Sequence, residues 1–202
     1  MNVTILDGYL DEPSCLGVPP YLAPHLRYTY GALKDSGLDK EEIDYLTIDQ
    51  FRSSQEGWSR LEEAELVIIM AGTTVPGKYL GGKPISLEEI EALGRDLNEQ
   101  EVILSGPIIN CDLEIENITE FASEIPGLKA YERLTNKEAL ESKSPAQLID
   151  KWAALGAELT TKHPNFPHLM CEIETFRGCP RDKSCSFCSE GFKEITYQRS
   201  IA

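Results

Sequence analysis

Four short apolar runs pace the first half of the chain: Val3-Thr4-Ile5-Leu6, Tyr45-Leu46-Thr47-Ile48, Leu66-Val67-Ile68-Ile69-Met70 and Val102-Ile103-Leu104. Each has the length and, but for Thr4 and Thr47, the apolarity of a strand buried on both faces. Helical signals lie between them. Past a loop carrying Pro13, Pro19, Pro20 and Pro24, the residues Leu26, Tyr30 and Leu33 recur at helical spacing, with Gly37 placed as a C-cap. Residues 53–64 read as an amphipathic helix with Trp58 and Leu61 on its apolar side. Ser86 and Glu89 make a capping box ahead of Ile90, Leu93 and Leu97. Ser144, Pro145 and Gln147 open a last helix whose apolar side is Leu148, Ile149, Trp152 and Leu155. Residues 128–131 read as a short fifth strand. Buried strands alternating with capped helices predict an α/β fold over residues 1–160: a doubly wound, mostly parallel, Rossmann-like sheet.

Charge and composition exclude several classes of function. The net charge of −15 disfavours nucleic acid as a partner, because phosphate contacts need clustered Lys and Arg. No apolar run is long enough to span a membrane, so no membrane partner is expected. The opening Met1-Asn2-Val3-Thr4-Ile5-Leu6-Asp7 has no basic region ahead of an apolar one, so no signal peptide is expected and the thiols are expected to be reduced in the cytoplasm. The charge is unevenly placed. Residues 171–202 hold five basic and five acidic side chains, so the whole −15 falls in residues 1–170. The step lies near Pro164 and Pro167, which disfavour regular structure. Residues 161–168 therefore read as a linker between the α/β domain and a second unit over residues 169–202.

In an open parallel sheet, ligands bind at loops outside the carboxyl ends of the strands. Those loops are residues 7–24, 72–86 and 105–112. The middle one is long and glycine-rich, but it lacks G-x-G-x-x-G and G-x-x-x-x-G-K-[ST], so neither a dinucleotide nor a P-loop reading is licensed. His25 beside Pro24 reads as a surface helix start, Trp58 and Trp152 as core, and Cys15 and Cys111 as inert. Leu169 to Thr175 reads as a strand on which Glu172 and Glu174 share one face.

That strand runs into the chain's chemical signature, Arg177-Gly178-Cys179-Pro180-Arg181-Asp182-Lys183-Ser184-Cys185-Ser186-Phe187-Cys188. Three of the six cysteines lie within ten residues, spaced C-x5-C-x2-C, with no fourth downstream. Thiolates so close suit a soft metal or an iron–sulfur cluster, with one coordination position left for a group other than protein. The rival is a structural zinc site, with Cys171 or His168 as fourth ligand. Four-thiolate zinc sites usually come as two C-x2-4-C pairs, and only Cys185 and Cys188 form one here.

Arg-Gly-Cys-Pro followed by Cys-Ser-Phe-Cys resembles the cluster loop of radical S-adenosylmethionine enzymes, with two residues more between Cys179 and Cys185 than the family's usual C-x3-C-x2-C. The resemblance implies that Cys179, Cys185 and Cys188 hold a [4Fe–4S] cluster whose fourth iron takes S-adenosylmethionine, with Phe187 near the adenine. In that family the loop follows the first strand of a partial (β/α) barrel. The remainder of the barrel is expected in a full-length protein, of which this chain is the N-terminal part, unable by itself to complete the reaction.

An acidic Rossmann-like domain ahead of this motif is similar to the cobalamin-binding-domain subgroup of the same superfamily. The proline-rich first loop and Pro76-Gly77-Lys78-Tyr79-Leu80-Gly81-Gly82 resemble archaeal members of uncharacterised function. The subgroup's Asp-x-His-x-x-Gly signature is missing. If cobalamin binds, Gly72, Thr73, Thr74, Ser105 and Gly106 are the residues expected to face it, since glycines and hydroxyls let a flat ring approach the backbone. Two functions follow from different classes. One is a radical S-adenosylmethionine enzyme, with or without cobalamin, acting on a substrate the sequence does not name. The other is a non-catalytic α/β binding module with a zinc-stabilised tail.

Overall fold

Each apolar run becomes a strand because its side chains have protein on both sides. The computed structural model describes residues 1–13, 19–73, 81–111, 113, 115–118, 120–121, 125–141, 143–183, 185–187 and 197–199. Strands β1 (Val3–Asp7), β3 (Ile43–Thr47), β4 (Leu66–Met70) and β5 (Glu101–Ser105), joined by the two-residue β6 (Glu120–Phe121), make one sheet. Its order is β3-β1-β4-β5-β6 and every pairing is parallel. Val3 lies opposite Ile43 on one side and Leu66 on the other, and Leu66 lies opposite Glu101.

Alternation along the strands divides the core in two. On one face Leu6, Leu46, Val67, Ile69, Val102 and Leu104 pack with Ile48, Leu61, Ile90 and Leu93. These come from helices α2 (Ile48–Ser53), α3 (Gln55–Glu62) and α4 (Leu87–Asp96). On the other face Val3, Ile5, Ile43, Tyr45, Leu66, Ile68 and Ile103 pack with Leu26, Tyr30 and Leu33 of α1 (Pro24–Asp35) and Ala130 of α5 (Leu128–Thr135). Helices thus cover both faces, the doubly wound arrangement the sequence predicts.

A further layer lies behind α1. Helix α6 (Pro145–Leu155) crosses it so closely that a Cβ on Gly31 would sit 2.0 Å from the Trp152 carbonyl oxygen, and one on Gly156 would sit 1.7 Å from that of Arg27. Trp152 is fully buried there with Tyr28, Leu148 and Ile149, and its Nε1–H donates to Asp35 Oδ2 at 3.0 Å. Lys151 pairs with the same carboxylate.

The expected capping boxes form at Ser86/Glu89 and Ser144/Gln147. Three elements differ from expectation. Residues 128–131 are the start of α5 and not a strand: Leu128 and Ala130 turn inward on a helix entered through Gly127 at φ 84°. The fifth strand is β6. The helix expected over 53–64 is present as α3, started by an extended Ser54 that accepts from the Gly57 N–H, but an unexpected α2, capped by Thr47 and Gln50, precedes it and takes Ile48 out of the strand. The strand expected over 169–175 is confined to β7 (Met170–Cys171), which pairs in parallel with β2 (Tyr21–Leu22). No helix among the described residues is long and apolar enough to cross a membrane.

Candidate functional site

The cysteine segment springs from a closed base. Strand β8 (Phe176–Arg177) pairs antiparallel with β9 (Tyr197–Gln198), Arg177 lying opposite Tyr197, so both ends of the intervening segment start from one point. Arg177 is 4% exposed. Its Nε donates to Glu174 Oε1 at 2.8 Å and its Nη2 to Glu174 Oε2 at 3.2 Å, a forked pairing that suits guanidinium and carboxylate. Nη2 also lies 3.2 Å from His25 Nε2 of α1, and the guanidinium carbon lies 5.8 Å from the centre of the Tyr197 ring. Tyr197 closes the network by donating to Glu174 Oε2 at 2.6 Å. Burial works to raise the Glu174 carboxyl, but the bonds from Arg177 and Tyr197 prevail and hold it below the usual carboxylate range. The second arm is tied to α6, where Arg199 Nε donates to Asp150 Oδ1 at 2.6 Å, and to the first arm, where the Arg199 N–H donates to the Thr175 carbonyl at 3.0 Å.

Above this base, Cys179 and Cys185 are free thiols and half-buried. Arg181 Nη1 donates toward Cys185 Sγ at 3.5 Å. Phe187 is 90% exposed, the barest large apolar side chain among the described residues. Cys188 lies outside the described residues, and among those that are described no three Cys, His, Asp or Glu side chains converge on one point. Cys171 and His168, the fourth ligands of the zinc reading, are both exposed, and Cys171 is tied into β7. Glu172 and Glu174 part company: Glu172 accepts from Tyr21 Oη at 2.5 Å at the surface, whereas Glu174 turns into the Arg177 network.

The residues assigned to a cobalamin ring are placed differently. Thr74 lies outside the described residues. Gly72 (φ 85°) and Gly106 (φ 94°) are brought together, but to let two loops touch: a Cβ on Gly72 would lie 2.4 Å from the Ile108 nitrogen and one on Gly106 would lie 2.4 Å from the Ala71 carbonyl oxygen. Backbone bonds stitch the same loops, Ala71 N–H to the Ser105 carbonyl at 2.9 Å and Ile108 N–H to the Ala71 carbonyl at 3.2 Å. Ser105 is buried and lines a void of about 10 Å3 with Thr29, Ile68 and Lys129, room for one water and not for a macrocycle. Between β1 and β4, where a sheet of this order reverses direction, the chain fills its own crevice. The Ile85 N–H donates to the Gly8 carbonyl at 2.8 Å, and the Gly81 and Gly82 N–H groups donate to Glu12 Oε1 at 2.9 and 2.6 Å. Gly72, Ser105 and Gly106 as placed do not fit a corrin.

One cluster at this edge escaped the sequence reading. Asp7, the last residue of β1, is buried, accepting from Tyr45 Oη at 2.7 Å and from the Tyr9 N–H at 2.9 Å. Burial pushes its carboxyl up to about 7. Asp11 is likewise raised by burial, to about 6. His163, from the segment read as a linker, is buried with Nδ1 accepting from the Asn165 N–H at 3.1 Å, and burial lowers it to about 4. The available signal was an acidic residue ending an otherwise apolar strand. Stability follows from the signs. Between about pH 4 and 7 the folded chain keeps a proton on Asp7 that the unfolded chain has lost, so stability falls as pH rises through that window. His163 works oppositely between about pH 4 and 6.5, where only the unfolded chain is protonated. Asp7→Asn should therefore leave stability at pH 4 unchanged and raise it at pH 8 by on the order of 2 kcal/mol in urea unfolding. Equal stabilities of variant and parent at pH 8 would contradict a buried, proton-holding Asp7.

Two archaeal proteins are similar to this chain along nearly its whole length. An uncharacterised protein of Archaeoglobus fulgidus is 46% identical over 98% of the chain, and an uncharacterised protein of Methanocaldococcus jannaschii is 35% identical over 92% of it. The chain spans only 36% and 37% of those two proteins, about a third of each. No family model matches the chain, and no solved structure matches it.

Proposed function

We propose that this chain carries the cluster loop of a radical S-adenosylmethionine enzyme. The observation that supports the reading most is the C-x5-C-x2-C spacing, with Cys179 and Cys185 free thiols and Phe187 bare two residues past Cys185 in the chain. Cys179, Cys185 and Cys188 would hold a [4Fe–4S] cluster, thiolate being the ligand such clusters take. When bound, that cluster supplies the electron for reductive cleavage of S-adenosylmethionine. The chain's own residues orient and shield. Phe187 offers an aromatic face to the adenine, and Arg181 offers an N–H to sulfur, a contact of the kind that tunes cluster potential. The relatives extend well beyond the aligned region, which leaves room for the rest of a barrel. Cobalamin has no part in this reading, since Gly72 and Gly106 give their open side to backbone packing and Ser105 lines a void too small for a corrin.

The test is electron paramagnetic resonance of the anaerobically reconstituted, reduced chain. Adding S-adenosylmethionine should change the cluster signal, and Phe187→Ala should weaken that response about ten-fold in concentration, equivalent to about 1.4 kcal/mol of lost stacking. A cluster signal indifferent to S-adenosylmethionine would overturn the assignment.

A further inference from the structure

We infer that Arg177 is a positioning residue which, with Glu174 and Tyr197, fixes the cysteine loop against the α1–α6 layer, so that the α/β domain acts as the cradle of the cluster site. This rests on the proposed function and adds a role to a domain that otherwise has none in it.

The argument is geometric. Arg177 stands two residues before Cys179, and its guanidinium reaches His25 of α1. A charge buried to that degree persists only when paired and hydrogen-bonded. Its partners come from both arms of the loop and from the domain: Glu174 from the entering arm, Tyr197 from the returning arm, His25 from α1, which lies 152 positions away in sequence. Tyr197 is itself part of the apolar cluster that joins α1 to α6, with Tyr28 and Trp152. Arg199 and Asp150 repeat the attachment one step along. Cys179 stands two residues beyond Arg177, so the network fixes the point from which that thiol is presented. Groups that orient ligands from behind commonly govern metal affinity as strongly as some ligands do. A planar fork matters at such a site, so lysine is no equivalent of Arg177.

The experiment compares the parent chain with Tyr197→Phe, Arg177→Lys and Glu174→Gln/Arg177→Met, the double variant leaving no unpaired buried charge. Thermal unfolding first selects the variants that fold, and Tyr197→Phe keeps the ring while removing only the bond to Glu174. Two readouts follow. Anaerobic iron and sulfide uptake should weaken about ten-fold in the double variant, with partial rescue in Arg177→Lys. In the metal-free protein, iodoacetamide should alkylate Cys179 and Cys185 several-fold faster in the double variant, while the exposed Cys111 and Cys171 react at the parental rate. Folded variants with parental uptake and parental alkylation would overturn the inference. A parent that takes up no cluster would overturn the proposed function instead, and the alkylation rates would still decide whether the network holds the loop.

Discussion

Gly31→Ala destabilises the chain by roughly 3 kcal/mol or more, because the added methyl has nowhere to go. The new Cβ would sit 2.0 Å from the Trp152 carbonyl oxygen and 2.6 Å from its carbonyl carbon, all backbone atoms of α6. Side chains can rotate out of a clash, but a helix can only move bodily. Moving α6 disturbs Trp152, Leu148 and Ile149 at once, with the Nε1–H bond to Asp35. Gly156 makes the reciprocal contact on α1, so Gly156→Ala acts on the same interface and the two losses should be less than additive. For a chain of this size the single change corresponds to a fall of roughly 6–12 °C in Tm. Calorimetry of the variant reads this directly, and a loss below about 1 kcal/mol would mean that α1 and α6 do not cross this closely.

Removing any one motif thiol has the second large effect, on metal and not on fold. Cys179→Ala, Cys185→Ala and Cys188→Ala should each abolish visible cluster absorption after anaerobic reconstitution, because a cluster with two protein ligands is not retained. Stability should change little in the first two, whose side chains are only half-buried. Cys111→Ala and Cys171→Ala, both at exposed positions, should leave the absorption intact. Retention of absorption in one motif variant, or its loss in Cys171→Ala, would reassign the ligands.

Much of the sheet was readable because its cause is local. A five-residue apolar run such as Leu66–Met70 can only be a buried strand in an α/β chain, and Ser86 or Ser144 with its partner three residues on announces a helix start. Helix α5 gave no such notice. It begins at Gly127, which has no side chain to cap with, and its eight residues carry too few apolar positions to separate a helical period from a strand's. The short α2 went unread because its capping pair, Thr47 and Gln50, begins inside what reads as the end of a strand. The site divides in the same way. The three motif cysteines stand out by spacing alone. Arg177, two residues before Cys179, meets His25 across 152 positions, and no sequence period links partners so far apart. Gly72 and Gly106 mislead for a physical reason: a backbone nitrogen or carbonyl exploits a missing Cβ as well as any ligand does.

The proposed iron–sulfur cluster has three thiolates of this chain as ligands and one open iron. It is tested most directly by counting metal. The chain is purified and reconstituted under strict anaerobiosis, then assayed for iron, acid-labile sulfide and zinc, with Mössbauer spectroscopy of the iron. About four irons and four sulfides per chain are expected, in a [4Fe–4S] spectrum, with negligible zinc. One tightly held zinc per chain, released by Cys171→Ala and leaving no iron bound, would contradict it.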